Sequence, residues 1–235
     1  MPFVEDYSNW KQLDSITNYE PLRDYFYANP DVWQVRPTQG FFSECSWYKF
    51  PYCCNVPWYQ ELNTPEIIGH QQAKLYELAK PFFDYANNQL GTDFLFWGAE
   101  LNSVPPGVLV ASHYDKHFYS EYATRVHVVL QTNNQVNFQF EKSTHHFAEG
   151  ECFLFNNKLT HGIQNNGTTD RLHLVMDFVP AEIFKYAERS IGPFGGNFGS
   201  KHVVSYLTRS NKLYSQFIKL AGNIELYPCK TRQLL

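Results

Sequence analysis

The feature that most constrains the fold is a series of short strand-like segments between residues 94 and 180, separated by turns and not by helices. Pro105-Pro106-Gly107 predicts one turn, and Asn166-Gly167 predicts a hairpin between the last two strands. The predicted strands are at about 94–101, 108–113, 124–131, 135–141, 145–148, 151–155, 160–165 and 171–179. Strands at this spacing predict a sandwich or barrel, and a double-sheet jelly roll fits eight of them.

Helical patterns flank these strands. Thr64-Pro65-Glu66 is typical of a helix start, Gly91 should end that helix, and Pro81 should kink or split it. We expect two further helical segments at about 181–190 and 203–221, and irregular structure with short strands and helical turns over residues 1–60. The sequence thus predicts one mainly β domain over residues 1–235, with a core at about 94–180, an N-terminal segment 1–93 and a C-terminal helical segment 181–235.

Composition excludes several classes of function. The net charge of −4 and the pI of about 6.1 argue against a nucleic-acid partner. The apolar runs are too short for a membrane span, and residues 1–6 lack the features of a signal peptide, so we expect a cytoplasmic protein with no membrane partner. The five cysteines include no Cys-x-x-Cys pair, which argues against a disulfide framework or a zinc ribbon.

Histidines are concentrated in the strand region, where seven of the nine lie between residues 113 and 173. His113 and Asp115 follow an apolar strand, and the strand period of two places both side chains on one face. His161, at the start of a later strand, would complete a site of two histidines and one carboxylate. That set leaves three metal positions open, as in non-haem Fe(II) oxygenases that bind an oxo-acid and O2.

Two arginines supply the cations that a carboxylate co-substrate needs. Arg171 follows His161 by ten residues across the predicted hairpin, so we expect the two on neighbouring strands. Its guanidinium can hold the far carboxylate of the co-substrate at two points. Arg125 and His127 alternate on a middle strand and should both point inward. A buried arginine without an acidic neighbour in sequence needs an anionic partner, which a bound dicarboxylate would supply.

Four segments resemble signatures of the aspartyl/asparaginyl β-hydroxylase family. In the first, 101–113, a Pro-Gly turn precedes His113 by six residues; the others are 125–127 (Arg-x-His), 149–161 and 171–180. The resemblance covers roughly residues 94–185. It implies a double-stranded β-helix dioxygenase that uses Fe(II), 2-oxoglutarate and O2.

The resemblance also implies roles for single residues. His113 and His161 would be iron ligands, and Arg171, helped by Asn102, would hold the distal carboxylate of 2-oxoglutarate. Arg125 and His127 would hold the end nearer the metal. The sequence departs from the family at Asn156-Asn157, where Asp-Asp is usual, and at Asn102, where serine is common.

Asp115 stands where the aspartyl β-hydroxylase branch has glycine. The resulting His-x-Asp resembles the related bacterial free-proline hydroxylases. This favours a full triad of His113, Asp115 and His161. It also favours hydroxylation of an amino-acid side chain, in a free amino acid such as proline or in a peptide, over the aspartyl or asparaginyl residues of the family name.

Alternatives exist for several of these residues. His117 shares a face with His113 and could replace one member of the triad, whereas His145-His146 is expected in a solvated turn. His173 would either support the site or be packed, and Asp177 would pair with an arginine. The rival functions are a cupin-like metalloenzyme of other chemistry and a non-catalytic jelly-roll binding module. Residues 1–60 and the Gly-rich loop 192–199 are candidate lids over the site.

Overall fold

The structure is a computed structural model, which describes residues 9–32, 34–35, 45–50, 70–91, 94–115 and 123–180. Its two α-helices are α1 (Glu20–Ala28) and α2 (His70–Leu90), and a short 3-10 helix covers Pro30–Val32. The strands are β1 (Trp10–Gln12), β2 (Gln34–Val35), β3 (Ser46–Lys49), β4 (Phe94–Val104), β5 (Leu109–His113), β6 (Thr124–Gln131), β7 (Val136–Phe140), β8 (Thr144–His145), β9 (Cys152–Phe155), β10 (His161–Asn165) and β11 (Arg171–Pro180).

The strands form two antiparallel sheets. The larger sheet has the order β1-β9-β6-β11-β4-β3-β2, and the smaller one has the order β5-β10-β7-β8. Consecutive strands from β4 onward repeatedly change sheet, which is the connectivity of a jelly roll. The predicted mainly β, double-sheet fold is therefore confirmed, and β4 to β11 match the eight predicted strands with shifts of a few residues at their ends.

The larger sheet is buried on both faces. One face packs against the two helices through a cluster that includes Leu22, Phe26, Phe83, Val126 and Leu174. The other face packs against the smaller sheet through a second cluster, rich in phenylalanine: Phe138, Phe140, Phe147, Phe153 and Phe155. A strand covered on both sides reads as a nearly continuous apolar run, which explains the sequence of β6.

Strand alternation then decides which polar residues lie between the sheets. On β6, Val126, Val128 and Leu130 belong to the helix-side cluster, so Arg125 and His127 point the opposite way. On β11, Leu172, Leu174 and Met176 also face the helices. The remaining positions of β11, namely Arg171, His173 and Asp177, therefore project into the space between the sheets together with the residues of β6.

Two predictions are wrong: that Pro81 splits its helix, and that Asn166-Gly167 forms a hairpin. Helix α2 runs unbroken through Pro81, whose side chain is exposed, so the proline does not split it, and the alternative of a kink stays a prediction. The segment around Asn166-Gly167 is not a hairpin, because β10 pairs with β5 and β7 whereas β11 pairs with β4 and β6. Gly167 lacks the positive φ that a type I′ turn requires, and the chain instead crosses between sheets at this point.

Two other turn predictions are confirmed. Gly91 ends α2 with φ of 78° and donates its N–H to the carbonyl of Asn87 at 2.9 Å. Gly107 has φ of 78° in the turn between β4 and β5. The start of the helix at Thr64, the segments 181–190 and 203–221, the loop 192–199 and His117 lie outside the described residues. None of the described helices combines the length and the apolar character that crossing a membrane would require.

Candidate active site

His113, Asp115 and His161 come together at one edge of the smaller sheet. His113 ends β5 and His161 begins β10, and the two residues are cross-strand partners in the antiparallel ladder. One candidate ligand atom from each of the three side chains lies within 4.8 Å of the others, and His113 Nε2 is 3.8 Å from Asp115 Oδ1. The structure thus brings together the three residues that the spacing had singled out.

Backbone contacts fix the tautomers of both histidines. The Nδ1 atoms of His113 and His161 lie 2.8 Å from the carbonyl oxygens of Ala111 and Leu159, respectively. Because a carbonyl oxygen only accepts, each Nδ1 carries a proton, and in the neutral ring the lone pair is then on Nε2. Hydrogen bonding of one ring nitrogen to the backbone is the usual support of a metal-ligating histidine.

Protonation favours cation binding as well. Burial lowers the pKa of His161 to about 4, so its ring is neutral near pH 7. Burial alone would raise the pKa of Asp115, but the Arg125 guanidinium, His161, His113 and Asn157 together outweigh this effect and hold that pKa below its ordinary value. Two imidazoles and one carboxylate are the donor set of a non-haem Fe(II) centre, and these residues fit such an ion.

A glycine allows β10 to approach β5 closely beside this centre. A Cβ atom at Gly162 would lie 2.9 Å from the carbonyl oxygen of Val110 and 3.3 Å from the amide nitrogen of Ser112. The pairing register also shifts between His161 and Ile163. The position next to His161 therefore requires a residue without a side chain.

Arg125 contacts two carboxylates of the chain itself. Its Nε and Nη2 donate to Oδ1 and Oδ2 of Asp177 at 2.8 and 2.9 Å, and its Nη1 donates to Oδ2 of Asp115. The expectation that Asp177 pairs with an arginine is confirmed. The argument that a bound dicarboxylate must supply the anionic partner of Arg125 is wrong, because residues distant in sequence supply two.

Arg171 is in a different situation. Its side chain is 1% exposed, Nη1 donates to Oδ1 of Asn102 at 3.1 Å, and Nη2 donates to Nδ1 of His173 at 2.8 Å. Its Nε has no hydrogen-bond partner in the part of the chain that the structure describes, and its guanidinium lies over the ring of Phe138 at 5.0 Å. Burial lowers the pKa of Arg171 to about 9, which leaves it charged at neutral pH. The neighbours that it contacts are neutral, so this buried cation can still accept an anion.

His161 and Arg171 do not lie on neighbouring strands, as the sequence had suggested. His161 is on the smaller sheet and Arg171 is on the larger one. The error follows from the misread hairpin. Because both sheets turn their inner faces to the same interior, the crossing between β10 and β11 still leaves both residues in the jelly roll.

His127 and His173 form a buried pair on adjacent strands, with their Nδ1 atoms 3.3 Å apart. His173 Nδ1 accepts from Arg171, because a guanidinium can only donate. Because Nδ1 of His173 has a single lone pair, which Arg171 uses, the 3.3 Å contact does not fix the tautomer of His127. The buried Nε2 of His127 has no hydrogen-bond partner among the described residues. Burial, reinforced by Arg171, lowers the pKa of both rings well below the ordinary value.

Sequence reasoning missed two further residues at the site. Asn157 is fully buried beside Asp115: its side chain helps to lower the pKa of that carboxyl, and its backbone carbonyl accepts from the N–H of Asp115 at 3.0 Å. Its place in the third family-like segment was the available signal. Phe138, whose ring lies against the guanidinium of Arg171, could be placed at the site only by strand alternation. His146 donates through Nδ1 to the carbonyl oxygen of Val136 on β7, and His145 packs on Trp10, so neither joins the triad.

Comparison with known proteins agrees with the sequence motifs. Residues 81–180 match the family described as Aspartyl/Asparaginyl beta-hydroxylase. No curated protein sequence is significantly similar to the chain.

Several solved structures are similar in part. A 2OG-Fe(II) oxygenase family oxidoreductase from Burkholderia pseudomallei is 12% identical, with 73% of this chain and 85% of that chain covered and a TM-score of 0.46. A viral collagen prolyl hydroxylase from Paramecium Bursaria Chlorella virus-1 is 12% identical (76% and 100% covered, TM-score 0.46), and a Pseudomonas putida prolyl-4-hydroxylase is 13% identical (74% and 94%, TM-score 0.43). The family match is the more specific finding: residues 81–180, which are less than half of the chain, are similar to the aspartyl/asparaginyl β-hydroxylase family, and this segment contains His113, Asp115 and His161.

Proposed function

We propose that the protein hydroxylates an amino-acid side chain, in a free amino acid such as proline or in a peptide. The observation that carries this proposal is the convergence of His113, Asp115 and His161 within 4.8 Å, inside a fold that also buries Arg171. Among the described residues the guanidinium of Arg171 donates to two neutral side chains, those of Asn102 and His173. With Fe(II), 2-oxoglutarate and O2 bound, such a centre converts a C–H bond to C–OH and 2-oxoglutarate to succinate and CO2.

Each residue has a defined task in this proposal. The Nε2 lone pairs of His113 and His161 and one oxygen of Asp115 hold the metal on one side, which leaves the other side open. Arg171 and Asn102 bind the distal carboxylate of 2-oxoglutarate, where charge-assisted hydrogen bonds in a buried site are strong. His127 is the candidate for the end nearer the metal. The phenylalanines between the sheets exclude water.

Arg171 separates this proposal from the cupin-like rival. A metalloenzyme that does not use a carboxylate co-substrate gains nothing from a buried guanidinium, which costs desolvation energy. In the proposed enzyme the same cation has a partner in every catalytic cycle. An Arg171→Ala variant that still binds 2-oxoglutarate would favour the rival.

The activity can be tested in two steps. Anaerobic addition of Fe(II) and then 2-oxoglutarate to the purified protein should give a weak visible charge-transfer band, with His113→Ala as the control. Aerobic incubation with free amino acids and with peptides, proline first, should give succinate and a product heavier by one oxygen atom in mass spectra. If neither the band nor succinate forms, the proposal is wrong. Succinate without any oxygenated product would leave the activity standing and exclude the substrates that were tested.

A further inference from the structure

We infer that Asp177 and Arg125 are positioning residues for the carboxylate of Asp115, and that Arg125 does not bind the co-substrate. This inference rests on the proposed function, because it assumes that Asp115 is a metal ligand. It differs from the role that the family resemblance implied, in which Arg125 holds the end of 2-oxoglutarate nearer the metal.

The first step is the anchoring of Arg125. Asp177 and Arg125 are directly opposite each other on β11 and β6, and two parallel hydrogen bonds of 2.8 and 2.9 Å join them. A two-point contact between a guanidinium and a carboxylate fixes the plane and the direction of the guanidinium. Both residues are on the inner face of the larger sheet, so the anchor is part of a rigid ladder.

The second step is that the two oxygens of Asp115 have different contacts. Oδ2 accepts from Nη1 of Arg125, and the other oxygen, Oδ1, is the one 3.8 Å from Nε2 of His113. The arginine thus occupies one oxygen and turns the other toward the histidines. This arrangement predicts a carboxylate that binds the metal through a single oxygen.

The third step is the need for such an anchor. Asp115 lies two residues beyond the end of β5, outside the ladder between β5 and β10, and its N–H donates to the carbonyl of Asn157. A carboxylate at the end of a strand can rotate away from its ligand position unless another group holds it. The charged contact from Arg125 supplies that restraint, and Asp177 offsets the charge of the guanidinium.

The charge of Arg125 is already offset within the chain. Nε, Nη1 and Nη2 each donate to a carboxylate of Asp177 or Asp115. Three of the five N–H groups of the guanidinium are thus used, and a further carboxylate would gain less charge compensation at Arg125 than at Arg171. Arg171 donates to no carboxylate among the described residues. We therefore infer that Arg171 binds the co-substrate, whereas Arg125 orients Asp115, the metal ligand.

The test compares metal binding with co-substrate binding in Asp177→Asn, which removes one charge and keeps the size of the side chain. Co(II) affinity should be measured by calorimetry and the Co(II) site by its visible spectrum. We expect Co(II) to bind about 10-fold to 100-fold more weakly, with an altered spectrum, because loss of a group that orients a ligand typically has this effect. At saturating Co(II), 2-oxoglutarate affinity should change less than about threefold, within the error of additivity for independent sites.

A double-mutant cycle separates positioning from general damage. In an Asp115→Gly background the further change Asp177→Asn should leave Co(II) affinity the same, because the carboxylate that it orients is gone. Asp84→Asn, which removes an exposed ion pair with Lys80 on α2, is the matched control and should match the wild-type protein in both measurements. Arg125→Lys keeps the charge but loses the planar guanidinium that makes two parallel hydrogen bonds, so it should also weaken Co(II) binding. This variant replaces Asp177→Asn if Asp177→Asn does not fold.

The outcomes are distinguishable. Unchanged Co(II) affinity in Asp177→Asn together with weaker 2-oxoglutarate binding would overturn the inference and return Arg125 to the co-substrate. An equal effect of Asp177→Asn with and without Asp115 would also overturn it. If the wild-type protein itself binds no Co(II), the proposed function fails, and the positioning role fails with it.

Discussion

His161 lies directly opposite His113 across the ladder between β5 and β10, and each ring is held by the carbonyl two residues before it. The two histidines are far apart in sequence, yet they share one ladder and one kind of support. The backbone therefore orients both Nε2 atoms before any metal arrives, and a preorganised site of this kind binds an ion without first having to order its ligands.

The first prediction concerns these two ligands. His113→Ala and His161→Ala should each weaken Co(II) binding by at least about 100-fold, since loss of a ligand should cost no less than loss of a group that orients one. Succinate formation should disappear in both variants. His70→Ala, an exposed histidine on α2, is the control and should bind Co(II) like the wild-type protein. Retained Co(II) affinity in either triad variant would exclude that histidine as a ligand.

The second prediction concerns Gly162. In Gly162→Ala the new methyl group would meet the backbone of β5 at 2.9 Å, so the strands must move apart next to His161. We expect a loss of about 1–3 kcal/mol in the free energy of unfolding, as for other overpacked sites, and weaker Co(II) binding.

Gly107→Ala is the matched control for this substitution. Its Cβ would meet no atom within 4 Å, but its φ of 78° disfavours any side chain, so it should cost about 1 kcal/mol. Co(II) affinity should stay the same in Gly107→Ala. Equal Co(II) affinities in the two variants would show that close strand approach does not position His161.

The third prediction concerns the arginine that holds the co-substrate. Arg171→Lys keeps a cation between the two sheets but loses the planar contact to a carboxylate and the hydrogen bond to Asn102. We expect 2-oxoglutarate to bind about 10-fold to 100-fold more weakly, the equivalent of one charge-assisted hydrogen bond. Co(II) affinity, measured without 2-oxoglutarate, should stay unchanged. A loss of both affinities would mean that the variant disturbs the interior as a whole.

Much of the site could be predicted because it depends on local rules. Strand alternation placed Arg125 with His127, and Arg171 with His173, on inner faces, and it placed His113 and Asp115 on one side. These inferences need only the period of a strand. Gly91 and Gly107 were likewise predictable, because each turn requires a positive φ within a few residues of a recognisable end.

The rest depended on pairings between distant strands. Arg125 meets Asp177 because β6 lies beside β11, and no sequence pattern specifies that neighbour. The hairpin predicted at Asn166-Gly167 was wrong for the same reason, since a local turn signal does not show which sheet the next strand joins. Pro81 misled for a different reason. At an exposed position a helix that packs through its other face tolerates the loss of one backbone hydrogen bond.

The fourth prediction concerns acid stability and the buried pair His127 and His173. Burial holds the pKa of each ring well below 6.5, whereas in the unfolded chain both rings titrate near 6.5. Below about pH 6.5 the unfolded chain therefore binds more protons than the folded protein. The free energy of unfolding should consequently fall as the pH falls, by up to about 1.4 kcal/mol per pH unit for each ring. Above that pH the contribution of these rings is complete and does not vary.

Urea denaturation at a series of pH values between 7.5 and 5.5 measures this slope. In His127→Gln one of the two rings is replaced by an amide that stays neutral throughout. The dependence of the free energy of unfolding on pH should therefore be smaller by up to about 1.4 kcal/mol per pH unit, the contribution of one ring. His70→Gln removes an exposed histidine of α2 and should keep the wild-type slope. If His127→Gln and the wild-type protein lose stability at the same rate, water reaches the ring and stabilises its charged form. The space between the sheets would then be wetter than the packing of Phe138, Phe153 and Phe155 around His127 indicates.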